Sequence, residues 1–362
     1  MTALREALLS SPETALSFGG FVIGFLFGAA LNATNYCTLG AISDWRLAGD
    51  KGRLGAVALA AALAIFGAQA LDAAGVTDLS NSMYLTPRLN WLGALGGGLL
   101  FGIGMVYAGG CPSRTLVRAG GGDLRALVSL LTLALAALAT VSGIFADIRV
   151  GLLAKLSIDL APTGVTSQGL TDFLAAAGAR GPMARLVAGA LVAAPLLLFA
   201  FGPARLLSAP RNLIGGLAVG ALVTLGWALT GLTHDDMSAD PLAPLSLSFV
   251  RPVADAIDWI ERATALGLPG FGAASVFGVL AGSMAAARFR GPIRLSGFAD
   301  SADLKRHVLG AAAMGAGGVL ALGCSIGQGI TGLSTLSIQS IIAAAAIIAG
   351  AVLGLERLQR SV

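Results

Sequence analysis

Cys37, Cys111 and Cys324 are the three thiols in a chain of 362 residues, and small or polar neighbours surround each of them. The three settings are Asn35-Tyr36-Cys37-Thr38-Leu39-Gly40, Gly109-Gly110-Cys111-Pro112-Ser113-Arg114 and Gly323-Cys324-Ser325-Ile326-Gly327-Gln328-Gly329. A thiol removed from water stays neutral. In that form it is a weak hydrogen-bond donor with a soft, polarisable sulfur. Such a group grips an anion loosely, and conduction requires loose binding at several sites. The bland alternative is that each cysteine is a small buried hydrophobe. All three fall at breaks in apolar runs, which favours the functional reading. There is no C-x-x-C and no paired histidine spacing, so the sequence predicts no metal site. An odd number of cysteines argues against a simple disulfide framework.

Polar residues near these thiols divide into donors and charges. Asn35 is either a helix cap or a pathway donor. Gln328 is read as a site residue, because an idle amide at membrane depth is costly. Ser325 adds a hydroxyl beside Cys324. Arg114 and Arg118, four apart on one face of a short helix, either follow the bias of cytoplasmic loops or draw an anion outward. No other charge lies deep in an apolar span, which leaves no evident proton relay. Backbone N–H groups at helix N-termini then supply the remaining anion contacts.

The elements that must position these groups are membrane helices. The chain is 56% hydrophobic and only 12% charged, against about 25% charged in soluble domains, with a mean hydropathy of +0.83. The net charge of +4 reflects cytoplasmic Lys and Arg rather than nucleic-acid binding. The N-terminus lacks a cleavable-signal pattern: Arg5, Glu6 and Glu13 precede a full-length span. From Val308 to Leu355 there are 48 residues without a charge. A single helix of that length would reach roughly 72 Å, beyond the about 40–45 Å of a whole bilayer. The run therefore predicts two spans with a break at Gly323–Gly329. Broken backbone survives at that depth only inside protein or along a cavity.

The remaining spans are predicted at 14–34, 54–71, 89–110, 126–146, 186–201, 212–233 and 263–287, nine in all. Between them lie a half-helix at Pro112–Ala119 with proline in its first turn, an interfacial stretch at 148–156, and a second one after Ser246–Pro252. Phe101–Cys111 (FGIGMVYAGGC) and Met314–Cys324 (MGAGGVLALGC) match at six of eleven positions. This predicts an internal duplication, 14–146 against 186–355, joined by 147–185. Placing the N-terminus outside and the C-terminus in the cytoplasm puts 15 of the 23 Lys and Arg inside. The two matched motifs then run antiparallel, the geometry of an inverted repeat. The expected fold is an all-α polytopic membrane protein of about nine transmembrane helices with short re-entrant half-helices. Trp227 is expected either to face lipid or to pack, and His307 to lie at the membrane interface.

With these residues in view, the chain resembles the YeeE/YedE-type sulphur-transport family, the thiosulfate permeases. The segments that carry the resemblance are NYCTLGAISD, YAGGCPSRTLVRAGGGD, SLSFVRP and ALGCSIGQGITGLST. The resemblance implies an hourglass-shaped inverted repeat in the bacterial inner membrane. It also implies that Cys37, Cys111 and Cys324 correspond to the family's three functional cysteines, which pass thiosulfate along by S–H hydrogen bonding. A small cytoplasmic TusA-like sulphur carrier is the implied partner, with no cofactor. Cys37, Cys111, Cys324, Asn35, Gln328, Ser325 and Arg114 form the expected pathway, with no catalytic residue. Two alternatives stay open: a carrier for another sulphur or selenium species, and a membrane sulphurtransferase working through a cysteine persulfide. The latter needs a thiolate, and only Cys111, with Arg114 and Arg118 nearby, has cationic neighbours.

Overall fold

Glycine and alanine let the helices of this chain approach until backbones touch, and that approach sets the architecture. The computed structural model describes residue 5 and residues 8–163, 165–176, 178, 181–235, 242–292 and 295–360. In chain order its helices are α1 (Pro12–Thr34), α2 (Thr38–Ser43, continued by a π-helical turn), α3 (Gly52–Ala73), α4 (Gly98–Tyr107, preceded by a π-helical turn at Gly93–Gly97), α5 (Pro112–Gly120) and α6 (Leu124–Val141). There follow α7 (Ala146–Leu156), α8 (Leu170–Ala176), α9 (Pro182–Phe201), α10 (Pro210–Leu232), α11 (Val250–Leu266), α12 (Phe271–Arg290), α13 (Ser301–Leu320) and α14 (Ile338–Arg360). A two-residue ladder, β1 (Arg88–Leu89) on β2 (Ile158–Asp159), ties the loops at one end.

The closest pair is α1 with α12. A methyl group on Gly24 or Gly28 would run into the carbonyls of Ser275 and Val279, and one on Gly278 or Gly282 into those of Phe21 and Phe25. This is the small-xxx-small approach by which membrane helices associate without a hydrophobic drive. The other main pairings are α10 on α3, α9 on α3, α14 on α4, α13 on α6, and α4 across α13. Large apolar side chains on the outer faces, among them Phe18, Leu135, Leu191 and Leu198, are exposed, as expected of a surface that meets lipid.

Among the described residues, eight helices are long and apolar enough to cross a membrane, and the chain is an all-α, multi-pass membrane protein. The sequence led to nine. The ninth is α13, whose twenty residues open with Asp303, Lys305 and Arg306, so composition alone does not mark it. The span expected at 263–287 also moves: α11 continues to Leu266 and stops at Gly267, and α12 runs from Phe271 to Arg290. The interfacial stretch after Pro252 is the kinked α11, and that at 148–156 lies within α7. His307 is buried, 3% exposed. Its Nδ1 lies 2.9 Å from the Asp303 carbonyl oxygen, and its ring packs edge-on against Phe298. Trp227 packs, fully buried, with its indole N–H donating to Ser334 Oγ at 3.0 Å. Asp236 and Arg294 lie outside the described residues.

Candidate functional site

Each cysteine stands two residues after a left-handed backbone residue that stops a helix. Asn35 (φ 56°) ends α1 before Cys37, Gly109 (φ 71°) ends α4 before Cys111, and Leu322 (φ 58°) ends α13 before Cys324. The left-handed residue turns the chain, and the cysteine then caps the next helical turn. Cys37 is the N-cap of α2, and its Sγ accepts the Gly40 N–H at 3.3 Å. Cys111 is the N-cap of α5, with Pro112 in the first turn as expected. Its Sγ lies 3.2 Å from Ser113 Oγ and accepts the Arg114 N–H. Cys324 Sγ accepts the Gly327 N–H at 3.2 Å, with the N–H groups of Phe249 and Ile326 also directed at it. The break expected at Gly323–Gly329 is a turn followed by a π-helical stretch, Gly327–Gly332. In all three cases the sulfur lone pairs receive N–H groups, so each sulfur is an acceptor in the resting site.

These loops converge. Cys37 and Cys111 are hydrogen-bonding neighbours, Ser325 lies against Cys111, and Cys324 is close enough to Cys111 to interact electrostatically. Cys111 and Cys324 are 1% and 0% exposed, and Cys37 is half-buried. Thus residues from α1–α2, α4–α5 and the segment after α13 meet at one place inside the bundle.

The other expected site residues take different positions. Arg114 donates to Asn35 Oδ1 at 3.3 Å, tying the Cys111 loop to the Cys37 loop. Gln328 is fully buried and donates to the Ala321 carbonyl at 2.6 Å, so its amide holds the end of α13. Ser325 Oγ is buried without a well-aligned partner. Arg118 binds Asp123 at 2.7 Å and the Gly109 carbonyl at 2.8 Å, which fixes the turn before Cys111. Burial pushes the Asp123 carboxyl up, but the hydrogen bonds from Arg125 and Arg118 outweigh it and hold the group below the ordinary carboxylate range.

Two openings flank the thiols. From the end of the bundle opposite Arg118, a vestibule of about 590 Å³ reaches Ser248 and Gly323, next to Cys324; Tyr84, Ser246 and Arg251 also line it. From the other end, a cleft lined by Thr34, Tyr36, Cys37, Arg53, Arg211 and Asn212 has no room for a water molecule. The sequence did not single out Tyr36, Phe249 or Ser113. Tyr36 adjoins Cys37, but a tyrosine near the end of a span reads first as an interface residue, and no side-chain pattern reports that the Phe249 backbone N–H faces a sulfur.

A family model described as sulphur transport matches residues 33–353 of this chain. The thiosulfate transporter TsuA of Escherichia coli (strain K12) is 25% identical over 348 residues, covering 93% of each chain. The thiosulfate transporter TsuA of Spirochaeta thermophila is 27% identical over 357 residues, covering 91% of this chain and 96% of that protein.

Proposed function

The chain belongs to the sulphur-transport family, and from that premise we propose that it is a permease taking up thiosulfate through a thiol-lined centre. The observation that carries this reading is the convergence of Cys37, Cys111 and Cys324, each with its sulfur accepting N–H groups. An anion entering by the vestibule would meet Cys324, then Cys111, then Cys37, and leave past Arg53 and Arg211. Ser325 sits between the Cys324 and Cys111 loops, and Arg114 with Asn35 keeps the Cys111 and Cys37 loops together. Neutral donors suit this task because a fixed cation in the same place would hold a dianion too firmly to release it. Gln328 serves the pathway by holding the turn before Cys324.

The packing supports an inverted repeat, 14–146 against 186–355 joined by 147–185. Exchanging α1 with α10, α3 with α12, α4 with α13 and α6 with α14 turns α1–α12 into α10–α3 and α4–α14 into α13–α6, and leaves α4–α13 in place. Helix α9 stands outside this exchange. The bacterial inner membrane is the proposed location, with the basic end in the cytoplasm, the N-terminus outside and the C-terminus inside. A TusA-like sulphur carrier is the proposed receiver at the basic end.

Uptake of labelled thiosulfate into proteoliposomes tests the reading. Hydrogen bonds to a charged group contribute about 1.5–3 kcal/mol, so Cys111→Ala and Cys324→Ala are each expected to lower kcat/KM by about 10- to 150-fold. Wild-type rates in all three cysteine variants would end the thiol mechanism. A persulfide on the purified protein that turns over with substrate would move the reading to a sulphurtransferase.

A further inference from the structure

The three thiols do not complete the donor set at this site. Tyr36 lines the inner cleft beside Cys37: the residue is 5% exposed, and its hydroxyl is within electrostatic reach of both Cys37 and Cys111. Its Cδ2 stands 3.5 Å from where a side chain on Gly215 would begin, so the small face of α10 makes room for the ring. The hydroxyl points at no acceptor, and Tyr36 Oη is among the buried atoms without a hydrogen-bond partner. A buried O–H left without an acceptor is destabilising, and buried polar groups in folded proteins are almost always paired.

What surrounds Tyr36 indicates what the missing acceptor is. Its polar neighbours are two thiols and, along the cleft, Thr34, Asn212 and the guanidinium groups of Arg53 and Arg211. Arg53 is paired with Asp44 at 3.3 Å, whereas Arg211 has no carboxylate partner among the described residues. Donors outnumber acceptors in this lining and no acceptor there receives the Tyr36 hydroxyl, whereas an anion would.

We propose that the Tyr36 hydroxyl is a fourth substrate ligand at the thiol pair, donating to an oxygen of the oxyanion while Cys37 and Cys111 contact its sulfur. This rests on the thiosulfate reading and deepens it. Thiosulfate has a hard end of three oxygens and a soft sulfur end. A hydroxyl beside two thiols matches both, since O–H bonds oxygen strongly and S–H suits a polarisable sulfur. Tyr36 also stands where the open vestibule side gives way to the closed cleft, so the anion it holds is at the last step before release.

Tyr36→Phe removes the donor and keeps the ring. The measurement is protection of Cys37 from a maleimide by thiosulfate in the purified full chain, beside thiosulfate uptake in proteoliposomes. The concentration giving half-protection should rise about tenfold in Tyr36→Phe, equivalent to about 1.4 kcal/mol. The KM of uptake should rise with it, while kcat stays within about twofold. Tyr107→Phe should leave both unchanged. Melting temperature and size-exclusion profile confirm that the variants are folded, and a merely structural role for Tyr36 would lower these without separating KM from kcat. Protection of wild type with an unchanged half-protection concentration in Tyr36→Phe overturns the role of Tyr36 alone. Absence of thiosulfate protection in wild type overturns the thiosulfate reading, and this inference with it.

Discussion

The segment from Cys111 to Asp123 and the segment from Cys324 to Ser337 begin alike and are held differently. Both start two residues after a left-handed residue, and both lead into a crossing helix, α6 or α14. The first is a regular α-helix locked by ions: Arg118 and Arg125 converge on Asp123, the N-cap of α6. The second is π-helical and locked without a charge. Ser334 accepts from Trp227 through its hydroxyl and from Gln69 through its carbonyl, while Thr331 donates to the Leu247 carbonyl at 2.6 Å. The Asp123 side chain is 12% exposed and its two arginines 20% and 32%, whereas Trp227, Ser334 and Thr331 are fully buried. The cysteine turn is therefore the shared part, and the means of fixing it follows from depth. Near water, ion pairs are affordable. Inside the bundle a lone charge is not, and neutral hydrogen bonds replace them.

The largest way to break this comparison is at Trp227. Truncating a fully buried tryptophan costs about 3–5 kcal/mol, so Trp227→Ala should give the largest fall in melting temperature in detergent. Ser334→Ala separates the hydrogen bond from the packing: it leaves the indole N–H buried without an acceptor, at about 1–3 kcal/mol. If Ser334→Ala melts as wild type does, the neutral lock is packing alone.

Next comes Asp123. Asp123→Asn removes the charge at the centre of the ion lock and should cost about 1–3 kcal/mol. The pH dependence distinguishes the two locks. Asp123 titrates below its ordinary value, so its stabilisation is present above the unfolded carboxylate value of about 3.9. That stabilisation is lost as pH falls through the lower folded value. The melting difference between wild type and Asp123→Asn should therefore shrink below about pH 4, while the Ser334→Ala difference stays flat. Little or no melting difference in Asp123→Asn would mean that Asp123 acts as a cap, which Asn preserves, and not as an ion.

Much of this was legible in the residues themselves. The charge-free run from Val308 to Leu355 required a break near Cys324, and Pro112 marked the start of α5. Two of the three left-handed turns carry residues that favour them, Asn35 and Gly109. The third, Leu322, carries no such signal, because tertiary packing forces a leucine into a conformation it disfavours. The burial of His307 was illegible for a related reason: Lys305 and Arg306 beside it suggest an exposed face, but packing against Phe298 covers the ring. The orphaned Tyr36 hydroxyl was illegible because sequence reports residue types, while a missing partner is a property of the assembled site.

Gly109 gives the smallest and sharpest test of the shared turn. A residue with a Cβ held in the left-handed region costs about 1–2 kcal/mol, and a Cβ here would also stand 3.1 Å from the Arg118 guanidinium. Gly109→Ala should lower the melting temperature less than Trp227→Ala does, yet disturb transport more than its stability cost suggests. Arg118 binds the Gly109 carbonyl, so a shift of that guanidinium moves the backbone that aims Cys111. Uptake with wild-type KM and kcat in Gly109→Ala would mean that the left-handed turn serves only to stop α4, and that the position of Cys111 is set from the α5 side.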